Sequence, residues 1–251
     1  MSKTFRKFVN YHKNTKQLIA RLQQEYELQI GDISKLIEPL LQPKRVENLK
    51  RVLEMRTRQF TVLLEKIYDP HNMSACIRSA EAFGVQDIHI IPFDENSDKI
   101  GVQTTRGSHR WLTFHNHHNT EQAVEHLKKN GYKIVVTTVN PYAQKELNSF
   151  SNNDKPFNSL FNFDVTKKKC IVFGNEHVGI SKSMAKCADE FLYIPMNGFV
   201  ESLNISVAFG ITLSTIRNRH NLQSSSVTSL SSEERLKLLD QWFIEDLPKG
   251  D

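Results

Sequence analysis

The stretch Ile171–Ser181, IVFGNEHVGIS, joins an apolar run to a loop that begins and ends with glycine. The run opens with two β-branched residues and a phenylalanine, which is typical of a strand buried on both faces. Gly174 and Gly179 bracket the loop, where a missing Cβ lets the backbone approach a ligand, and Glu176 lies at its tip. Ligands of open parallel sheets bind outside the carboxyl ends of strands. The stretch therefore predicts a ligand-binding edge, although glycine-containing turns are common.

Apolar runs and amphipathic segments alternate on both sides of this stretch. The alternation predicts an α/β domain with a largely parallel sheet covered on both faces. A longer helix follows the residues near Gly198 and runs to about Arg219. The predicted strands are Thr61–Leu64, Asp87–Ile91, Lys133–Val139, Cys170–Gly174 and Phe191–Ile194, and the predicted helices between them are Met73–Phe83, Gln122–Asn130 and Lys182–Ala188.

Helical patterns flank this domain on both sides. Residues 1–58 form a basic N-terminal extension in which apolar residues recur at helical spacing, with breaks at Pro39 and Pro43. The α/β domain is expected to occupy residues 59–220. Residues 221–251 begin with a serine-rich linker and continue as a C-terminal helix capped at Ser231 or Ser232.

Composition excludes several classes of protein. The chain has 251 residues, of which 39% are hydrophobic and 24% charged, as in ordinary globular proteins. No apolar run approaches the ~18 residues of a membrane span, and the first residues lack the apolar segment of a secretory signal. The cysteines Cys76, Cys170 and Cys187 are too few and too scattered for a disulfide framework or a zinc site. We therefore expect a cytoplasmic protein without a membrane partner.

Positive charge is concentrated at the N-terminus. Residues 1–60 carry 13 Lys and Arg against 6 Asp and Glu, a net charge of +7, whereas the other residues carry 20 against 22, a net charge of −2. A basic segment on a near-neutral body is typical of proteins that bind a polyanion, most often nucleic acid. A solvated helical face is the alternative, and charge alone does not decide between the two.

Several common sites are missing from the sequence. It contains no G-x-G-x-x-G fingerprint, Walker A loop, G-x-S-x-G elbow or H-E-x-x-H helix. The run His115–Asn119, HNHHN, has a spacing that suits no standard set of metal ligands, and no cluster of acids or cysteines completes it. We therefore expect no metal.

Two further stretches place polar residues at strand-to-helix junctions. In Asp69–Gly84, DPHNMSACIRSAEAFG, a helix opens near Asn72 and Arg78 follows six residues later. The alternative is that Asn72 only caps the helix and that Arg78 pairs on the surface with Glu81 or its neighbours. In Ile194–Gly210, IPMNGFVESLNISVAFG, three polar residues precede an apolar helix, more than a simple helix start requires, and a capping cluster is the alternative for Ser202. These three are Ser202, Asn204 and Ser206.

Together the three stretches resemble the ordered motifs of the SpoU family of RNA 2′-O-ribose methyltransferases, in the SPOUT superfamily. The matching patterns are Asn72-x5-Arg78-Ser-Ala-Glu-Ala-Phe-Gly84, Gly174-Asn-Glu-x2-Gly179 and Ile194-Pro-Met-x-Gly-x3-Ser-Leu-Asn-x-Ser-x-Ala208. The resemblance covers roughly residues 55–220. Within the family, the chain is most similar to enzymes that methylate guanosine 18 of tRNA.

The resemblance implies a fold, a cofactor and a set of site residues. The implied fold is a SPOUT-type parallel sheet with a deep trefoil knot in its carboxyl half, and we expect a homodimer that binds S-adenosylmethionine in the knot. Arg78 corresponds to the catalytic arginine, Asn72 positions it or the RNA phosphate, and the polar residues Glu176, Ser202 and Asn204 complete the site, partly from the second subunit. The implied cofactor-binding residues are Thr138, Gly174, Asn175, Gly179, Ile194, Met196, Ser202 and Leu203.

The basic extension then takes the role of RNA contact, with tRNA as partner. Salt-sensitive affinity is expected of such contacts because they neutralise phosphates. Two alternatives stay open: a SpoU enzyme that acts on ribosomal RNA, and a non-catalytic RNA-binding protein that keeps the fold. The residues expected to bind RNA are Arg45, Lys50, Arg51, Arg56, Arg58, Arg106 and Arg110.

Overall fold

The computed structural model describes residues 15–93, 107–139, 155–223 and 230–247. These residues belong to two compact units. One unit comprises Met1–Arg56 together with Thr228–Asp251, and the other comprises Thr57–Val227. Within the described ranges, no helix has the length and apolar character needed to cross a membrane.

The described residues form eight α-helices and seven strands. The helices are α1 (Thr15–Tyr26), α2 (Asp32–Ile37), α3 (Pro43–Glu54), α4 (Pro70–Ala82), α5 (Thr120–Lys129), α6 (Lys182–Cys187), α7 (Ile205–Gln223) and α8 (Ser232–Asp246). The strands are β1 (Phe60–Glu65), β2 (Asp87–Ile91), β3 (Thr113–Asn116), β4 (Lys133–Thr138), β5 (Phe157–Ser159), β6 (Lys169–Phe173) and β7 (Glu190–Tyr193).

All seven strands belong to one sheet in the second unit, in the order β3-β2-β1-β6-β4-β7-β5. Each neighbouring pair is parallel, for example β1 with β6, in which Val62 is the partner of Ile171. Every residue of β1 and β6 is buried, which explains their continuous apolar runs. The carboxyl ends of β1, β6, β4 and β7 consequently lie side by side at one edge of the sheet.

Helices cover both faces of this sheet. On one face, α4 and α7 contribute Ile77 and Leu213 to a core that they share with β1 and β6. On the other face, α5 and α6 contribute Leu127 and Met184 to a second core. The expectation of a parallel α/β sheet covered on both sides is confirmed.

Two strands lay outside the prediction. β3 and β5 have only four and three residues, none of them fully buried, and they form the two edges of the sheet. Edge strands are commonly short and half-exposed, so they lack the apolar run that marks a central strand. The other five strands follow the predicted ranges to within one residue at each end.

The first unit packs the three N-terminal helices with α8. Gly31 precedes α2 with φ 89° and offers no side chain to its first turn. Asp240 of α8 supplies the missing acceptor: its carboxylate accepts hydrogen bonds from the backbone N–H of Gly31 at 2.8 Å and of Ser34 at 2.7 Å. α8 has its own cap, because Ser231 and Glu234 form a reciprocal capping box. The predicted cap at Ser231 is thus confirmed.

Candidate active site

The loop after β6 is folded back tightly on itself. The backbone N–H and C=O groups of Asn175 pair with those of Gly179 at 3.0 and 2.9 Å. Gly179 has φ 68°, which favours glycine, and a Cβ on Gly174 would lie 2.5 Å from the carbonyl carbon of Gly179. Both bracketing glycines are therefore required by the geometry of the loop, whose tip presents Glu176.

Glu176 joins this loop to the start of α4. Its carboxylate accepts hydrogen bonds from the backbone N–H of Tyr68 at 2.8 Å, the backbone N–H of Asp69 at 3.2 Å and the side-chain amide of Asn72 at 3.1 Å. Partial burial raises the pKa of Glu176, but these hydrogen bonds outweigh it and hold the pKa below its ordinary value. The group is an ionised anchor rather than a poised general base.

Asn72 is the middle member of a chain of hydrogen bonds that joins the loop after β6, the first turn of α4 and the start of α7. Its Nδ2 donates to Glu176, and its Oδ1 accepts from Nδ2 of Asn204 at 3.2 Å. Oδ1 of Asn204 in turn accepts from the backbone N–H of Ser206 at 2.8 Å and from its hydroxyl at 2.6 Å. We call Glu176, Asn72, Asn204 and Ser206 the polar relay.

The hydrogen bonds around the polar relay show whether Asn72 and Asn204 act as helix caps. Asp69, not Asn72, caps α4, because its carboxylate accepts from the backbone N–H of His71 at 2.8 Å. Asn72 is therefore free to contact Glu176. Asn204 does cap α7, since its side chain accepts from Ser206 and its carbonyl accepts from Val207, and the same residue also reaches Asn72.

Two predicted catalytic residues lie outside the relay. Arg78 is exposed, and within the described residues it makes no hydrogen bond or ion pair. Six residues separate it from Asn72 on α4, which places it about 9 Å along the helix axis and about 120° around it. Ser202 is also exposed and has no hydrogen-bond partner in the described ranges. The surface pairing of Arg78 with Glu81 is therefore not observed.

The predicted cofactor residues lie at the carboxyl ends of three adjacent strands. Thr138 ends β4, Gly174 follows β6, and Ile194 follows β7 and packs against the core. Met196 and Leu203, farther along the last loop, are half-buried. Apolar side chains and backbone polar groups thus lie together at the carboxyl ends of β4, β6 and β7.

The backbone of the last loop is available to a ligand. From Met196 to Leu203, no backbone group makes a hydrogen bond with another described residue. A bound adenine needs such donors and acceptors beside apolar surface, so the residues present fit a nucleoside-containing cofactor. The family resemblance also implies that the loop from Thr138 to Tyr142 contacts the cofactor, and residues 140–142 of this loop lie outside the described residues.

Comparison with known proteins agrees with this geometry. The SpoU rRNA Methylase family model matches residues 59–214, which is more than half of the chain and includes the whole polar relay. The chain belongs to the SpoU methylase family. The resemblance drawn from the three stretches is confirmed.

Individual relatives are similar over most of their length. The chain is 34% identical over 228 residues to the tRNA (guanosine(18)-2′-O)-methyltransferase of Borreliella burgdorferi, covering 87% of this chain and 95% of that protein. The A. aeolicus TrmH/SpoU tRNA modifying enzyme has a TM-score of 0.68 at 32% identity, covering 82% of this chain and 98% of that one. The AdoMet-bound rRNA methyltransferase from Sinorhizobium meliloti has a TM-score of 0.53 at 25% identity, covering 66% and 60%.

The basic residues that we expect to bind RNA in this SpoU methylase differ in the burial and ion pairing of their side chains. Arg45 forms a bidentate ion pair with Asp246 at 2.7 and 2.8 Å. Arg56 is fully buried, with its guanidinium 5.1 Å from the ring centroid of Trp242. A buried guanidinium offers no surface to a phosphate, so the prediction that Arg56 binds RNA is wrong.

Those of the remaining basic residues that the structure describes are partly or fully exposed. Lys50 pairs with Glu38 at 2.7 Å, and Arg51 donates to Asn48 at 2.8 Å, both at the surface. Arg58 is held by the Asp87 carboxylate at 2.6 Å, with 22% of its side chain exposed. Arg110 lies over the ring of Trp111, and Arg106 lies outside the described residues.

The backbone before α4 also contributes contacts to the site, and the sequence motifs do not indicate them. The N–H groups of Tyr68 and Asp69 hold Glu176, and the carbonyl of Lys66 accepts from Nδ2 of Asn175 at 2.7 Å. Lys66 has φ 53°, a strained conformation for a residue with a Cβ. Because these contacts come from the main chain, side-chain identity gave no signal for them.

Proposed function

We propose that this protein transfers a methyl group from S-adenosylmethionine to a ribose 2′-oxygen of tRNA, at guanosine 18. The observation that carries the proposal is the polar relay, which links the three family motifs through Glu176, Asn72 and Asn204. The near full-length similarity to a tRNA (guanosine(18)-2′-O)-methyltransferase supports the choice of substrate.

The cofactor belongs beside the carboxyl ends of β4, β6 and β7. Backbone groups of the loops after Gly174 and Ile194 would hold the adenine, with Met196 and Leu203 packing against it. Bound there, S-adenosylmethionine would supply the methyl group of its sulfonium for transfer to the ribose 2′-oxygen, with the neutral thioether as the leaving group. The protein contributes chiefly by positioning, since alignment supplies much of the acceleration of a displacement.

Arg78 acts on the RNA side of the reaction. Its planar guanidinium contacts the phosphate beside the target ribose, orients the 2′-hydroxyl and assists its deprotonation by stabilising the developing negative charge, while water takes up the proton. Its exposure and its lack of a partner among the described residues suit a group that awaits substrate. Ser202 lies on the last loop and contributes a hydroxyl to the same site.

A second subunit completes the site. Exposed apolar side chains stand on α7 and the loop before it: Val207 is 49% exposed, Ile211 37% and Phe199 fully exposed. Such a group of apolar residues is typical of a protein–protein interface. A homodimer through this surface brings the partner's residues toward Arg78, and light scattering should give twice the 29.0 kDa chain mass.

The carboxyl half of the sheet forms the knot of the SPOUT fold. The order β6-β4-β7 supports this proposal, because β4 lies between two strands that follow it in the chain. Arg45, Lys50, Arg51, Arg58, Arg106 and Arg110 contact tRNA phosphates. The protein works in the cytoplasm, where tRNA is processed.

Methylation of purified RNA pools tests the proposal. Purified enzyme is incubated with labelled S-adenosylmethionine and either total tRNA or total rRNA lacking the modification. We expect label in tRNA, mapped by nuclease digestion to a 2′-O-methylated guanosine. Label confined to rRNA would establish the ribosomal alternative, and no label in either pool would favour the non-catalytic RNA-binding reading.

A further inference from the structure

Four histidines gather at one edge of the sheet, away from the polar relay. His89 of β2 and His115 of β3 are direct partners across the parallel pair, with their rings stacked at a centroid distance of 4.5 Å. His126 of α5 covers both, with its ring centroid 5.5 Å from that of His89 and 5.2 Å from that of His115. His117 lies beside His89 in nearly the same plane.

Three of these side chains bring ring nitrogens close to one another. One ring nitrogen from each of His89, His115 and His126 lies within 4.8 Å of the other two. Tetrahedral nitrogen ligands at 2.0–2.1 Å from zinc are about 3.4 Å apart. Closing the set around an ion therefore requires the nitrogens to move closer together, by rotation of the His126 side chain and by a tilt of the stacked His89 and His115 rings away from parallel.

The outer contacts of the histidines fit metal ligation as well. Metal-bound histidines typically donate their second ring N–H to a carboxylate or another acceptor. Nε2 of His115 lies 2.8 Å from Oδ1 of Asp87, and Nδ1 of His89 lies 2.9 Å from Nε2 of His117. The other ring nitrogens, Nδ1 of His115 and Nε2 of His89, take no part in these two contacts.

The carboxylate behind His115 is itself fixed. Its second oxygen accepts from Nε of Arg58 at 2.6 Å. An anchored carboxylate that accepts from a ligating histidine is a recurrent second contact of zinc sites.

We propose that His89, His115 and His126 bind a divalent transition-metal ion of the zinc type. Imidazole suits zinc, and three histidines leave a fourth position for water. Both His115 and His126 are partly exposed, so solvent reaches that position. The ion would fasten α5 to the edge strands β2 and β3, in a place that shares no residue with the polar relay.

The amino-acid spacing explains why this site was not expected. The expectation of no metal rests on the run His115–Asn119, whose neighbouring residues have a spacing that suits no standard ligand pattern. His89 and His126 come from a preceding strand and a following helix, and only the register of β2 with β3 brings them to His115. The two remaining histidines of the run, His117 and His118, are not among the proposed ligands.

Metal titration of the full chain tests the proposal. Chelator-treated protein is titrated with Zn²⁺ by calorimetry and with Co²⁺ by visible absorption. We expect one ion per chain, intense Co²⁺ bands of a tetrahedral site, and a higher thermal unfolding midpoint with Zn²⁺ because the ion binds the folded state.

Variants separate this site from adventitious binding. His126→Ala should weaken Zn²⁺ binding at least 100-fold and abolish the Co²⁺ bands, while Asp87→Asn should weaken binding 10–100-fold. His118→Ala is the matched control, because its exposed side chain belongs to the same histidine run but not to the ligand set. Absence of saturable one-to-one binding, or equal affinity in His126→Ala and the unmodified chain, would overturn the proposal.

Discussion

Side-chain amides and one carboxylate organise the candidate active site at the scale of single residues. Glu176 has three donors within 3.2 Å, so its oxygens are committed to holding the loops together. Asn72 passes the connection on to Asn204, and each amide is used as both donor and acceptor. The relay therefore behaves as a frame that fixes the relative positions of the loop after β6 and the starts of α4 and α7, and proton chemistry is left to groups outside it.

The role of Arg78 predicts the behaviour of a conservative variant. Arg78→Lys keeps the positive charge but loses the planar, forked donor set, so we expect kcat to fall about 100-fold through lost alignment of the 2′-hydroxyl. The thermal unfolding midpoint should not change, since the side chain is exposed and has no partner in the described ranges. Arg21→Lys, at an exposed position of α1, is the control. Near-normal turnover in Arg78→Lys would contradict the role given to this residue.

The anchored state of Glu176 predicts a pH profile. Its pKa is lowered in the folded protein, so the carboxylate stays ionised even at a pH equal to its ordinary pKa. It is protonated only as the pH falls through the lowered pKa. The profile of kcat/KM should therefore show no acidic limb from this group between pH 5 and 9. An acidic limb in that window that disappears in Glu176→Gln would show that Glu176 acts as a general base.

At the scale of elements, the central strands and the helices that cover them were predictable from sequence. β1 and β6 are buried on both faces, so they contain runs of consecutive apolar residues that can be recognised in the sequence. β3 and β5 were not predictable, because a short edge strand is defined by its neighbour rather than by its own residues.

The candidate site was predictable only in part. The motif pattern led to Asn72, Glu176 and Asn204, and the structure brings these three together. It did not lead to the backbone donors of Tyr68 and Asp69, which carry no residue signature. Nor did charge separate a phosphate-binding arginine from Arg56, whose burial against Trp242 depends on tertiary packing.

The contact between α8 and α2 predicts a stability effect. Asp240 is 1% exposed and is the acceptor for the N–H groups of Gly31 and Ser34. Asp240→Ala leaves these donors without that partner and should lower the free energy of unfolding by about 1–3 kcal/mol.

Urea denaturation of the full chain measures this effect. Glu233→Ala removes an exposed carboxylate of the same helix, which pairs with Lys237 at the surface, and should change stability by less than about 0.5 kcal/mol. If the two variants unfold at the same urea concentration, Asp240 does not cap α2 in solution.

At the scale of the whole molecule, charge and chemistry are divided along the chain. The first 60 residues carry a net charge of +7, while the rest of the chain is near neutral. The motifs and the polar relay all lie in the unit Thr57–Val227. Burial removes Arg56 from the exposed charge of the basic segment, whereas Arg45, Lys50 and Arg51 keep exposed or partly exposed side chains for a polyanion. The proposed division is RNA contact by the extension and methyl transfer by the sheet unit.

Methyl transfer to a single defined ribose tests this account most directly. Two synthetic tRNAs are compared, one unmodified and one with 2′-deoxyguanosine at position 18, each incubated with enzyme and labelled S-adenosylmethionine. We predict about one methyl group per molecule in the unmodified tRNA and none in the deoxy form, because only the 2′-hydroxyl of that nucleotide accepts the group. Equal labelling of both tRNAs would contradict the account.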